Sequence, residues 1–78
     1  MAKLELYGSA GCLQTRELRE WLEWNRREFT EYDVEADPAA RVRMRALDKT
    51  LRMVPVLVED GKVIQVGWQG RGCMVGLE

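Results

Sequence analysis

Two residues of this 78-residue chain can act as soft nucleophiles, Cys12 and Cys73, and there is no histidine to assist either of them. Cys12 stands in Tyr7-Gly8-Ser9-Ala10-Gly11-Cys12-Leu13-Gln14-Thr15. Before this stretch, Leu4 and Leu6 alternate with Lys3 and Glu5 as in a short strand, and a helical pattern starts just after Cys12. A cysteine at such a strand–loop–helix junction lies beside the unpaired N–H groups and the positive dipole end of the helix. That setting favours the thiolate, which is the nucleophile of disulfide exchange. The alternative is a small buried hydrophobe, the commonest use of a free cysteine. The glycine-flanked loop ahead of a helix start argues for the reactive reading.

The bulk properties narrow the function classes. A chain of this length forms one domain, residues 1–78, at the small end of what folds alone. A net charge of −1 with 32% charged residues gives no global pull toward nucleic acid or an anionic membrane. No apolar run approaches the ~20 residues that span a bilayer. No basic-then-apolar leader is recognisable, so a cytoplasmic location is expected. Two cysteines cannot build a disulfide-dense scaffold, and without histidine they leave no Cys/His metal site.

The elements that must position Cys12 can be read in order. A first helix is expected from about Leu13 to Arg26, with Leu18, Trp21, Leu22 and Asn25 on one face. Arg16–Glu20, Arg19–Glu23 and Glu23–Arg27 are four-apart opposite charges for its solvent side. Phe29–Val34 reads as a second strand. Asp37-Pro38 signals a helix start, with Asp as N-cap and Pro at the first helical position. Ala40, Met44, Leu47 and Leu51 would face inward, while Arg41, Arg43 and Arg45 make a solvated basic face. Val54-Pro55-Val56-Leu57-Val58 is a central strand, and Asp60-Gly61 a tight hairpin into a fourth strand at Val63–Val66. The resulting β-α-β-α-β-β order puts the first two strands parallel through a right-handed crossover. The tail, about residues 67–78, holds four glycines in twelve residues and opposes a regular helix. Its Trp68, Met74, Val75 and Leu77 predict a packed but irregular segment.

This order of elements, with Cys12 before the first helix, Val54-Pro55 before the third strand and the Asp-Gly hairpin, resembles the glutaredoxins. These are α/β thioredoxin-fold thiol–disulfide oxidoreductases. Cys12-Leu13-Gln14-Thr15 stands in the place of the redox Cys-x-x-Cys, and Met53-Val54-Pro55 in the place of the family's Thr-Val-Pro. Gly67-Trp68 lies where relatives carry a Gly-Gly or Gly-Phe kink. The likeness extends to a group of small glutaredoxin-like proteins with selenocysteine or cysteine followed by x-x-Thr. It implies a four-stranded mixed sheet, ordered second, first, third, fourth, and two main helices, with the usual third helix absent or rudimentary. It also implies that Cys12 is the nucleophile, that Pro55 is cis, and that the Val54 backbone pairs with a substrate peptide or glutathione. Arg52, Gly67 and Trp68 would line the substrate site, Arg52 facing a glutathione carboxylate or else standing as a solvated loop arginine.

The departures shape the functional expectation. Thr15 replaces the second motif cysteine, so it either hydrogen-bonds the Cys12 thiolate or caps the helix. Ser9 replaces a lysine that many relatives keep near the thiolate, which leaves the helix end and Arg16. The Cys-Gly-Phe-Ser signature of cluster-carrying relatives is absent. The expected activity is therefore a monothiol-type exchange: Cys12 attacks a glutathione mixed disulfide, and glutathione or Cys73 resolves the adduct. A monomer is expected, with no cofactor beyond glutathione as co-substrate and with glutathione or a protein thiol as partner. A peptide-binding adaptor with a vestigial Cys12 is the alternative from another class. Peroxide or selenium chemistry through a sulfenic acid is a third.

Overall fold

The computed structural model describes residues 3–75. In chain order it contains β1 (Leu4–Gly8), α1 (Leu13–Trp24), β2 (Phe29–Asp33), α2 (Pro38–Leu47), β3 (Met53–Val54), β4 (Val56–Glu59), β5 (Lys62–Val66) and β6 (Cys73–Met74). The main sheet runs β2-β1-β4-β5, with β2 parallel to β1 and β4 and β5 antiparallel to their neighbours. This is the expected α/β thioredoxin-like arrangement of a mixed four-stranded sheet and two helices.

The side-chain alternation of the strands sorts the core into two layers. Leu4, Leu6 and Leu57 pack with Leu18 and Leu22 of α1. Tyr7, Val56 and Val58 pack with Ala40 and Met44 of α2 on the other face. With both faces covered, every residue of β1 is buried, including Glu5 between the two leucines. The Tyr32 hydroxyl donates to the Glu5 carboxylate at 3.3 Å, so this buried polar group is paired.

Local chemistry fixes the ends as anticipated in α2, where Asp37 accepts a hydrogen bond from the Ala39 N–H at 3.0 Å and Pro38 opens the helix. Asp60 and Gly61 both take positive φ, 52° and 81°, which closes the β4–β5 hairpin with the twist that two-residue loops prefer.

Four expectations are corrected. Trp21, expected on the inward face, is 44% exposed, so the buried stripe of α1 is Thr15, Leu18 and Leu22. Arg19 and Arg27 pair with strand carboxylates, Glu31 at 2.9 Å and Glu59 at 3.6 Å, rather than along the helix. The expected third strand is broken at Pro55, which has no N–H for a ladder, into β3 and β4. Met53–Val54 leaves the main sheet and pairs antiparallel with β6 in the tail. The tail is thus more regular than its glycines suggested; Leu77 lies outside the described residues.

Candidate functional site

Cys12 is the N-cap residue of α1, with extended backbone angles (φ −94°, ψ 119°). Its N–H donates to the Ser9 carbonyl at 3.1 Å and its carbonyl accepts from the Arg16 N–H at 3.2 Å, which seats it at the mouth of the helix. The first turn of α1 carries no acidic residue to oppose an anion there. Ala10, Gly11, Cys12, Leu13 and Arg16 line a hollow of about 90 Å³. A larger hollow of about 300 Å³ lies at the opposite end of β1, around Lys3, Leu4 and Phe29, far from either thiol along the strand.

Cys12 is joined to Cys73 by a disulfide, with Cα atoms 5.9 Å apart across a sequence separation of 61. In this disulfide form Cys12 is only 2% exposed, although a reactive thiol at a loop–helix junction implies an accessible one. Cys73 covers it on one side, and the Val54 carbonyl lies 4.0 Å from its sulfur on another.

Three local features carry the tail back to Cys12. Gly67, with φ +83°, bends the chain beyond β5, and its N–H donates to the Pro55 carbonyl at 2.7 Å. The next four residues form a closed turn in which Trp68 and Arg71 exchange backbone hydrogen bonds at 2.7 and 3.0 Å. Gln69 and Gly70 take positive φ at its centre, the same conformation as Asp60-Gly61. Gly72 then permits close approach, because a Cβ there would lie 2.5 Å from the Val54 carbonyl oxygen and 2.6 Å from Met53 Cγ. In the β3–β6 ladder Met53 faces Met74 and Val54 faces Cys73. The Val54–Pro55 bond is cis.

The remaining expected site residues are placed as follows. Val54 and Cys73 gather around Cys12, and Pro55 follows Val54 through the cis bond as a fully buried residue. Thr15 is buried, and its hydroxyl oxygen accepts from the Ser9 N–H at 3.4 Å, so it braces the loop rather than meeting a sulfur. The Arg52 side chain is exposed, and its backbone carbonyl accepts from the Val75 N–H at 2.8 Å. Trp68 packs on the α1 side of the sheet, 5.7 Å from Trp21, apart from the cluster that holds Cys12.

Gln14 has no role among the sequence-based expectations. The end of its amide lies 3.7 Å from Cys12 Sγ and 3.6 Å from Cys73 Sγ, spanning the pair. Its place inside Cys-x-x-Thr was the one available signal. Ser9, in the lysine position, donates its hydroxyl hydrogen bond to the Glu35 carboxylate and so faces away from any cationic role.

A glutaredoxin family model matches residues 4–64. The chain belongs to the glutaredoxin family. Among solved structures it is similar to the thioredoxin-like protein BC3987, at 33% identity and TM-score 0.74 over 85% of this chain and 88% of that one. A mutant of the same protein gives 35% identity and TM-score 0.75 over 88% and 86%. Glutaredoxin 1 from Francisella tularensis, complexed with cacodylate, shares the fold at 23% identity, with TM-score 0.63 over 87% and 85%. No curated protein is significantly similar to the chain. Family, fold and the Cys12–Cys73 disulfide together support thiol–disulfide oxidoreductase chemistry. Cys73 itself lies beyond the residues that the family model matches, so half of the thiol pair comes from this chain's own tail.

Proposed function

We propose that this glutaredoxin-family protein reduces disulfides with Cys12 as nucleophile and Cys73 as resolving thiol. The Cys12 thiolate attacks one sulfur of a substrate disulfide, that S–S bond breaks, and the first substrate thiolate leaves. The Cys73 thiolate then attacks the Cys12 sulfur, forms the Cys12–Cys73 disulfide and releases the second substrate thiolate. Two electrons pass from the protein dithiol to the substrate. Two glutathione thiols return them and become glutathione disulfide.

The observation that carries this reading is the disulfide between residues 61 apart in sequence, in a chain whose usual second motif position is Thr15. A Cα separation of 5.9 Å is within the range a disulfide spans without backbone movement. The helix N-terminus supports the attacking thiolate of Cys12, and Arg16 adds positive charge to the adjoining hollow. Glutathione mixed disulfides and protein disulfides are the substrates this chemistry takes, and a glutathione-reduced cytoplasm is where the pair would cycle.

Mass spectrometry of a single turnover on a glutathionylated peptide tests the reading. The native chain is expected to finish with a Cys12–Cys73 link, and Cys73→Ser to accumulate glutathione on Cys12. Equal adduct in both proteins, with no internal link, would leave glutathione as the resolver and Cys73 as a bystander. A Cys12 that reacts no faster than the thiol of an unfolded peptide would favour the adaptor instead.

A further inference from the structure

The edge of β3 is the backbone beside Cys12 with which an incoming chain could pair, and the protein's own tail occupies it. Cys73 sits opposite Val54 with its sulfur on Cys12. Met74 points outward and is 73% exposed. Val75 turns inward again, 5% exposed, into the cluster that includes Leu51, Val54 and Met44, and its N–H holds the Arg52 carbonyl. The footprint of this strand is therefore cysteine, a free position, and an aliphatic side chain, preceded by a glycine against the Val54 carbonyl.

We infer that the tail is an internal surrogate of the substrate, and that the same edge takes an extended protein segment carrying Cys-x-aliphatic. This rests on the role of Cys12 proposed above. A substrate sulfur must arrive where the Cys73 sulfur now lies, and pairing with Met53–Val54 brings a cysteine there in extended chain. The pocket filled by Val75 then reads the residue two places on. Glutathione has only one residue after its cysteine and cannot reach that pocket. Resolution becomes a strand exchange: the tail returns to β3 as Cys73 displaces the substrate cysteine from Cys12.

The test uses peptides whose cysteine is disulfide-linked to nitrothiobenzoate, mixed with the reduced, full-length protein. Cys12 attacks the peptide sulfur and the coloured nitrothiobenzoate thiolate leaves; Cys73 then displaces the peptide thiolate. Gly-Cys-Met-Val is expected to release colour about tenfold faster than Gly-Cys-Met-Asp or the glutathione analogue, the discrimination one apolar side chain provides in a fitted pocket. Val75→Asp, which weakens the tail's own hold on the edge, is expected to speed the Gly-Cys-Met-Val reaction. Equal rates for the three substrates would overturn the proposal. Colour release and peptide release are read separately, so the two readings fail separately. Selective colour release with the peptide retained on Cys12 upholds the docking edge and removes Cys73 as resolver. Unselective colour release with the peptide freed does the reverse.

Discussion

Cys73 faces Val54 across a ladder only two residues long, and that pairing holds its sulfur on Cys12. So short a ladder, with one buried valine beyond it, is a weak anchor without the covalent bond. The disulfide closes a loop of 61 residues' separation, worth about 4 kcal/mol in the chain-entropy model. Reduction is expected to lower the unfolding free energy of the native chain by up to that amount. Urea titrations with and without reductant check it, and Cys73→Ser should respond to neither condition. Identical midpoints for the oxidised and reduced native chain would show that the loop constraint stabilises nothing.

Gly72 lets β6 approach β3. Alanine there would push its methyl against the Val54 carbonyl and Met53 Cγ, both within 2.6 Å of the Cβ position. Overpacking of this kind typically costs about 1–3 kcal/mol, and here it falls on the closed form of the thiol pair. The Cys12–Cys73 couple of Gly72→Ala should then be easier to reduce by roughly 20–60 mV in a glutathione redox titration. Gly70→Ala meets no atom in space but must hold φ +78°, so it should act through the turn alone and more weakly.

These residues show what the sequence disclosed. Asp37-Pro38, Asp60-Gly61 and the junction at Cys12 each carry their structure in local chemistry, and all three were legible. The expected role of Cys73 as a candidate resolver implies that the tail can reach Cys12, but the ladder that brings it there is not legible, because two paired residues carry no periodicity. Gln69-Gly70 forms the same turn as Asp60-Gly61 without the flanking alternation that marks a hairpin. Trp21 and Trp24 follow helical spacing, yet the narrow face of α1 has room for Thr15, Leu18 and Leu22, which leaves Trp24 in water and Trp21 half-exposed against Trp68. Beyond its place inside Cys-x-x-Thr, Gln14 carries no signal, since its position beside both sulfurs exists only once the tail has returned.

Gly8 and Thr15 tie the end of β1 to the first turn of α1. A Cβ at Gly8 would lie 2.8 Å from Thr15 Oγ1 and closer still to its methyl. Gly8→Ala should destabilise the fold by about 1–3 kcal/mol, and Thr15→Ser, which removes that methyl, should recover part of the loss. Thr15→Val in the native chain leaves the buried Ser9 N–H without its acceptor, a change of about 1–3 kcal/mol. Denaturation of the four proteins decides the matter. If Thr15→Val keeps full stability but loses disulfide reduction, the hydroxyl serves the chemistry and not the loop.

Tyr7 gives the fold an alkaline limit. Burial in the α2-side core raises its phenol above the ordinary value of 10.0, and the nearby Glu5 carboxylate and Tyr32 add to the rise while Arg43 opposes it. The folded state therefore holds this proton more tightly than the unfolded chain. The resulting stabilisation is fully present below pH 10, the unfolded value, and is lost as pH rises through the higher folded value. Tyr7→Phe keeps a ring to stack on Tyr32, now 4.9 Å away, and has no proton to lose. Stability measured from neutral pH upward should fall more steeply above pH 10 in the native chain than in Tyr7→Phe. Parallel curves for the two proteins would assign the alkaline limit to other groups.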